Sequence, residues 1–357
     1  MFSNITKAKD ATNRFSFQIN DLDLAIVSGI RRIILTDIPV VGFKTEEEPS
    51  IEIKKNTGAL HNEFILNRIG LIPICFTEEE TETFSSDDYE FELYVKNDTQ
   101  NMRNVTTHDF TIKKEDAPLP VKEIHRIFPI SPVSKEPILI TRLRPNEELH
   151  ILGKAVKSTA RVHAGFSPVS LCTLYYNQDP VLASKETNIL NKERAYYRNN
   201  FGDPTNIQFE IESECALTPK YLVSKAIEIL INKLHFLTQE IVNPESEYIT
   251  FHKNETEVGG VFTFQNEDDT LGNFLQSLMH THYIRNKKPS AKDRNITYVG
   301  YVCPHPLDTI MNLKIVFEDD KNVEENEYID LVLEHCNRTI TYMQNIQAEW
   351  LKETSTL

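Results

Sequence analysis

The chain contains 357 residues, enough for about two or three domains with well-buried cores. Hydrophobic residues make up 40% and charged residues 25%, and Gly and Pro are too few for a collagen-like or low-complexity polymer. The formal net charge of −15 excludes a surface that wraps nucleic acid broadly, because neutralising phosphates requires clustered Lys and Arg.

The five cysteines are widely spaced and form no C-x-x-C pair, which argues against a disulfide framework and against a Cys-rich zinc knuckle. Lys7, Lys9 and Asp10 stand where a signal peptide would have its apolar core. No apolar run approaches the roughly 20 residues that span a bilayer. We therefore expect a protein of a reducing compartment that is neither secreted nor embedded in a membrane.

The first predicted elements are a strand and a helix. Phe15, Phe17 and Ile19 alternate with polar residues, which predicts a half-buried strand. Asp21 or Asp23 can cap the helix that follows. We assign these elements, over residues 1–44, to a first module that the chain completes further on.

Residues 45–204 predict a β-rich inserted domain. Short alternating runs are punctuated by prolines between Pro118 and Pro180, as is typical of edge strands. A short helix is predicted from Leu60 to Ile69.

The first module resumes over residues 205–242. Ile207, Phe209 and Ile211 alternate as a strand does. Thr218 and Pro219 form a cap with a first-turn proline, ahead of an apolar stripe about six turns long. A helix of that length must bury its stripe against another element.

Residues 243–258 are polar and acidic, which predicts a linker ending at two glycines. Residues 259–357 then predict a second, smaller module. Its element order is strand, helix, two strands and a long final helix that reaches Trp350.

The two modules share a pattern, because a constant offset between them matches both the strand and the helix periodicity. The matched pairs are Phe17 with Phe262, Ile19 with Phe264, Asp23 with Asp268, Ile26 with Leu271, and Ile30 with Leu275. One interpretation is two related modules whose helices pack together as a pseudo-dimer within one chain. The alternative is two unrelated α+β units with a common strand–helix order.

Three segments of the first part resemble the α-like, third-largest subunit of eukaryotic and archaeal RNA polymerase. Ile26–Pro39 is similar to its L-A-N-S-L-R-R…E-I-P motif, and Leu60–Pro73 is similar to L-x-D-E-x-I…R-L-G-L-I-P. His163–Val169 resembles the H-A-K-W-S-P-V segment.

The second module resembles the small partner of that subunit. Glu267–Asn273, Gly300–Val302 and Pro304–Leu307 are similar to its E-D-H-T-L-G-N…G-Y…P-H-P-L segments. The matches occur in family order and reach both halves of the chain.

The resemblance implies an α+β fold in which two RNA polymerase α-like dimerisation modules form an intrachain pseudo-heterodimer rather than a homodimer, with a β-rich domain inserted in the first. It also implies a non-catalytic assembly platform that docks the two largest polymerase subunits, contacts small subunits, and meets DNA or RNA only through the complex. Fusion of the two modules is associated with large cytoplasmic DNA viruses. The expected location is therefore a viral factory in the host cytoplasm and the virion if the chain is viral, and otherwise the nucleus.

Two sets of residues carry these expectations. The family motifs place partner docking at Arg31, Arg32, Glu63 and Arg68, where an arginine could form bidentate hydrogen bonds. The alternative for these four residues is ordinary surface charge or intradomain pairing. Intrachain dimerisation is expected at Ile30, Ile34, Leu230, Leu234, Leu271, Leu275, Ile340 and Met343.

The sequence lacks the phosphate-binding, hydrolase and zinc-protease motifs G-x-x-x-x-G-K-[ST], G-x-S-x-G and H-E-x-x-H. We expect no catalytic residue, cofactor or metal. Family members often carry a zinc-binding cysteine cluster in the inserted domain, but only Cys75 stands in that stretch here. The basic loop Arg285–Arg294 is expected to be a solvated insertion. A competing hypothesis is a metal- or cysteine-dependent hydrolase built on His280, His282, Cys303 and His305.

Overall fold

The computed structural model describes residues 1–8, 13–214, 216–253, 258–286, 295–305 and 307–355. It combines antiparallel sheets with long helices, so the predicted α+β class is confirmed. Within the described part of the chain, none of the helices has the length and apolarity needed to cross a bilayer.

The strands lie mostly in three antiparallel sheets. In chain order they are β1 (Phe2–Lys7), β2 (Arg14–Asn20), β3 (Val40–Gly42), β4 (Ile51–Asn56), β5 (Tyr89–Lys96), β6 (Arg103–Thr106), β7 (Phe110–Lys114), β8 (Ala117–Pro118), β9 (Leu139–Leu143), β10 (Glu148–Gly153), β11 (Val156–Ser158), β12 (Val169–Tyr176), β13 (Asn206–Ser213), β14 (Ile249–Lys253), β15 (Gly260–Gln265), β16 (Ile296–Val302) and β17 (Ile310–Phe317).

The helices are distributed over all parts of the chain, and the longest follow β13 and β17. They are α1 (Leu24–Thr36), α2 (Asn62–Gly70), α3 (Glu78–Thr83), α4 (Val121–Ile127), α5 (Pro180–Lys185), α6 (Ile189–Glu193), α7 (Pro219–Glu240), α8 (Asp269–Met279) and α9 (Glu325–Glu353). A π-helical turn, His280–Arg285, continues α8.

The two modules have the same topology. The first sheet has the strand order β1-β2-β13-β12, and the second has the order β14-β15-β17-β16. In each module a helix (α1 or α8) follows the second strand of this order, and a long helix (α7 or α9) follows the third. Both shorter helices begin at an aspartate, Asp23 or Asp268, whose side chain accepts a backbone N–H two residues on. The interpretation as two related modules is therefore supported by element order, strand order and capping.

The structure corrects the linker predicted over residues 243–258. Residues 249–253 form β14, the edge strand of the second sheet, which pairs antiparallel with β15. The strand is short, its exposed face carries Thr250 and His252, and it ends at Lys253. An edge strand of that composition has the polarity of a linker, so local patterning does not reveal it.

The structure also corrects the boundaries of the first module. Val169–Tyr176, which we placed in the inserted domain of residues 45–204, forms β12 and pairs with β13 in the first sheet. At the other edge, Phe2–Lys7 forms a strand that the sequence analysis missed. The insertion in the first module therefore lies between α1 and β12, and the stretch with α5 and α6 is a separate excursion between β12 and β13.

The inserted domain has its own core. Its main sheet has the order β4-β10-β5-β7-β8, and its buried side chains form a hydrophobic cluster separate from that of the modules. The rings of Phe43, Phe91 and Phe110 pack against one another there, with Phe43 5.2 Å from Phe91 and 6.0 Å from Phe110.

The two modules share a single core. One hydrophobic cluster contains buried residues of both sheets and of α1, α7, α8 and α9. Trp350, near the end of α9, is fully buried against the first sheet, with its ring 5.0 Å from Phe2 and 4.8 Å from Phe17. The core of the first module is therefore completed by a side chain from the end of the second module.

Candidate functional site

The junction between the modules is built from four helices. Helix α7 packs against α9, and α1 packs against both α7 and α8. The eight residues expected at this junction are all buried, and each exposes at most 5% of its surface. They are Ile30, Ile34, Leu230, Leu234, Leu271, Leu275, Ile340 and Met343. Burial of one such side chain stabilises the fold by about 1.5–3 kcal/mol.

Helices α7 and α9 run antiparallel. The Lys220 ammonium at the start of α7 donates to the Thr354 carbonyl just beyond α9 (2.9 Å), and the Trp350 indole donates to the Lys220 carbonyl (3.0 Å). Gln347 then reaches the Ser224 carbonyl one turn further along α7 (3.3 Å). These polar contacts fix the register of the two long apolar stripes.

Gly29 of α1 faces both neighbouring helices of the junction. A methyl group added at Gly29 would lie 3.7 Å from the Phe274 ring of α8 and 3.9 Å from Leu230 of α7. The space between the α1 backbone and these two helices can therefore hold a methyl group at ordinary van der Waals distance.

A network of charges closes one end of the α1–α8 pair. Arg161, from the turn that precedes β12, donates to Asp37 at the end of α1 (2.5 and 3.3 Å) and to Asp268 at the start of α8 (3.0 Å). Arg32 lies 3.8 Å from Asp268. The network thus joins the first module, the end of its insertion and the second module.

A second part of the network is buried more deeply. The Lys233 ammonium of α7 contacts Glu267 (3.1 Å) and lies 3.8 Å from Asp37. The Tyr248 hydroxyl donates to Glu267 (2.9 Å), and burial next to this carboxylate raises the pKa of Tyr248 above its ordinary value. Glu267 is only 7% exposed, so its charge needs these partners.

The charges of the network reinforce one another. Burial alone would raise the pKa of Asp268, but hydrogen bonds from Thr270 and the charge of Arg161 lower it. Burial would likewise lower the pKa of Arg161, and the carboxylates of Asp37 and Asp268 raise it instead. Both groups are therefore held in their charged forms.

The sequence analysis missed most of this network. Glu267 and Asp268 lie in the E-D-x-T-L-G-N-like segment, and Arg161 lies two residues before the H-A-x-x-S-P-V-like segment. Their position in or next to these motif-like segments was the only sequence signal that these residues have a role. Ion pairs between residues more than 100 positions apart leave no periodicity in the sequence.

The first two residues expected to dock a partner have different surroundings. The side chain of Arg32 is 40% exposed and faces Asp268 of α8, so its charge is paired within the junction. Arg31 is half-buried, and its carbonyl accepts a weak hydrogen bond from the Cys172 thiol (3.9 Å). Among the residues that the structure describes, Arg31 has no carboxylate partner.

Glu63 and Arg68 lie on α2 in the inserted domain. Glu63 is highly exposed and 4.0 Å from the His61 ring. Arg68 donates to the Leu139 carbonyl (2.6 Å), which ties α2 to β9. The structure brings neither residue into contact with Arg31 or Arg32.

The residues of the competing hydrolase hypothesis do not form a reactive centre. His282 contacts Arg338 (3.1 Å), and the His305 ring accepts the N–H of Leu307 within a turn (3.2 Å). Burial and the neighbouring Asp269 raise the pKa of Cys303 to about 11, which disfavours the thiolate that a nucleophile requires. The backbone N–H of His280 donates to the last carbonyls of α8, and within the described residues its ring forms no hydrogen bond or ion pair.

Among the residues that the structure describes, no three or more His, Cys, Asp and Glu side chains are arranged so that they could hold a metal ion. Cys75, the one cysteine of the stretch where the family resemblance implies a zinc cluster, is buried. The inserted domain therefore does not fit a cysteine-ligated zinc ion. From Lys287 onward, the basic loop Arg285–Arg294 lies outside the described residues.

Comparison with known proteins gives two matches to one family. The family described as "RNA polymerase Rpb3/Rpb11 dimerisation domain" matches residues 16–234 and, separately, residues 260–349. The first matched segment contains α1 and most of α7, and the second contains α8 and most of α9, the helices of the junction.

Several curated proteins are similar to the chain. Subunit 3 of DNA-directed RNA polymerases II, IV and V from Arabidopsis thaliana is 26% identical over 191 residues, 50% of this chain and 58% of the relative. Subunit RPB3 of DNA-directed RNA polymerase II from Schizosaccharomyces pombe is 23% identical over 271 residues, 67% of this chain and 87% of the relative. Human RPAC1 of DNA-directed RNA polymerases I and III is 27% identical over 177 residues, which are 44% of this chain and 49% of the relative.

The chain spans little more than half the length of the first of these relatives. The family matches cover the elements that pair the two modules, and they appear twice in one polypeptide. The chain belongs to the RNA polymerase Rpb3/Rpb11 dimerisation domain family and carries two of its domains.

Proposed function

We propose that the chain is a non-catalytic assembly subunit of a DNA-directed RNA polymerase, in which two α-like modules within one polypeptide form a platform for the two largest subunits. The observation that carries the proposal is the single hydrophobic core shared by the two family domains. Its relatives are named as subunits of such polymerases.

Fusion gives the platform a physical advantage. A tether between two modules gives an effective concentration on the order of mM, so the modules need not meet by diffusion. The chain would then act as an intrachain pseudo-heterodimer that binds large and small polymerase subunits and reaches DNA or RNA only through them. If the chain is viral, it would work in a viral factory of the host cytoplasm and enter the virion; otherwise it would work in the nucleus.

Arg31 is the favoured docking residue of the four. It is half-buried and has no carboxylate partner within the described residues, whereas Arg32 contacts Asp268 and Arg68 contacts Leu139. Glu63 is exposed and remains a second candidate on the inserted domain.

We expect Arg31→Gln to weaken retention of a large subunit by about tenfold, because a partner's carboxylate loses a charge-assisted hydrogen bond. The chain is tagged, purified from its native setting at high salt, and the bound subunits are quantified by mass spectrometry. Arg142→Gln, at an exposed site on β9, serves as the control. Equal retention with Arg31→Gln would show that this residue does not dock a partner.

The hydrolase alternative would require a different result. Stoichiometric bound metal in the purified chain, or a hydrolytic activity that Cys303→Ser removes, would support it. No contact in the junction favours this alternative, and the raised pKa of Cys303 opposes it.

A further inference from the structure

A cavity of about 750 Å³ lies at the other end of the α1–α8 pair, opposite the network of Arg161. Its walls come from both modules: the start of α1, the end of α8 with the π-helical turn, α9, and the excursion that precedes β13. A volume of this size is within the range that proteins use to bind ligands or partner side chains.

The two ends of the helix pair are related by the internal symmetry of the molecule. Asp23 caps α1 as Asp268 caps α8, and each aspartate faces the far end of the opposite helix. Asp268 is bound by two arginines, Arg161 and Arg32. Among the described residues, the equivalent Asp23 accepts hydrogen bonds from neutral donors, including Ser277 (3.1 Å) and Thr281 (3.5 Å), and from no arginine or lysine.

Within the part of the chain that the structure describes, the cavity therefore contains two carboxylates that are not paired with a cation. Asp21 and Asp23 both line it, and within the described residues neither is paired with a lysine or arginine. The two arginines of the cavity wall are already engaged. Arg285 contacts Asp203 (2.5 Å), and Arg338 contacts Glu334 (3.2 Å) and the His282 ring.

One buried polar atom of the wall is also unsatisfied. His335 is 2% exposed, lines the cavity, and its Nδ1 has no hydrogen-bond partner among the described residues. Buried polar groups are rarely left unpaired in a folded protein. In the described part of the wall, one buried ring nitrogen therefore lacks a hydrogen-bond partner and two carboxylates lack a balancing cation.

We propose that this cavity receives an arginine side chain from another polymerase subunit, which binds Asp21 and Asp23 as Arg161 binds Asp37 and Asp268. The inference rests on the proposed function, since it names a subunit of the polymerase as the partner. A guanidinium fits because its planar fork can bridge two carboxylates. The partner's segment would lie at the cavity end of the α1–α8 pair, in the position that the turn with Arg161 has at the opposite end.

The test uses the assembled polymerase purified through the tagged chain. The photoreactive probe p-benzoylphenylalanine is placed at Tyr342, a partly exposed cavity residue, and the cross-linked peptide is sequenced. The chain is compared with a version carrying Asp21→Asn and Asp23→Asn. Asn still caps α1 and tolerates the positive φ of Asp21, so the change removes charge with little effect on the fold. Asp116→Asn, another exposed residue with positive φ, is the matched control.

We expect a cross-link to an arginine-containing peptide of another polymerase subunit, with a yield about tenfold lower in the double variant and unchanged in the control. A cross-link within the chain, to a second copy of it, or to no protein would overturn the inference, as would an unchanged yield in the double variant. The large subunits in the same preparation are quantified separately. Their presence without the cross-link contradicts only this inference, whereas their absence from the unmodified complex contradicts the proposed function.

Discussion

His335 shows how a single residue of the junction responds to pH. Burial, together with the nearby charges of His282 and Arg338, lowers its pKa to about 3, so the folded protein holds the ring neutral. The unfolded chain takes up a proton as pH falls below about 6.5. Unfolding is therefore favoured as pH falls from about 6.5 towards 3, and this group has no effect at pH 7 and above.

We expect His335→Met to make the free energy of unfolding less dependent on pH. The slope of this free energy against pH should fall by about 1.4 kcal/mol per pH unit at pH values below about 6. Urea unfolding monitored by fluorescence at several pH values measures this slope. His252→Met, at an exposed position of β14, should leave the slope nearly unchanged. Identical slopes for wild type and His335→Met would show that the ring is protonated in the folded state.

At the scale of the elements, two helical glycines of the junction are expected to behave in opposite ways. A methyl group at Gly272 of α8 would lie 2.4 Å from the Tyr301 ring of β16, whereas one at Gly29 of α1 would meet only ordinary contacts. We expect Gly272→Ala to reduce the free energy of unfolding by about 1–3 kcal/mol, and Gly29→Ala to raise it by about 0.5–1 kcal/mol because alanine favours the helix. Chemical unfolding of the two variants side by side checks this, and a stabilising Gly272→Ala would contradict the close approach of α8 to the sheet.

The elements also show what sequence could predict. Helix α7 was predictable because two independent features indicate it. The cap Thr218 with the proline Pro219 marks its start, and the apolar stripe marks its buried face. The matching caps Asp23 and Asp268 were predictable from the internal pattern. The edge strands β1 and β14 were not, because one exposed face and one unpaired edge leave no strong alternation.

The candidate site was predicted in part for a related reason. The apolar junction residues follow helical periodicity, so the apolar stripe of each helix predicts which of its residues are buried. The partners of Arg161, Lys233 and Glu267 depend on how distant segments pack. The cavity likewise depends on how α1, α8, α9 and the excursion before β13 meet in the folded chain. Such features are properties of tertiary structure.

At the scale of the whole molecule, the chain is two family domains joined through one core, with an inserted domain that has a core of its own. A substitution in the shared core should affect both modules together, whereas one at the surface of the inserted domain should not. Leu230 is 1% exposed, at the contact of α7 with α1, and Val133 is 86% exposed. An aspartate at Leu230 would place an unpaired charge in the core, at a cost of several kcal/mol.

The yield of the two largest polymerase subunits that copurify with tagged chain at high salt tests the account most directly, comparing wild type, Leu230→Asp and Val133→Asp. We predict that both subunits are retained in equal amounts by wild type and by Val133→Asp, and that both are lost with Leu230→Asp. Undiminished retention of both subunits by Leu230→Asp would contradict the claim that the shared core of the two modules is the platform on which the polymerase assembles.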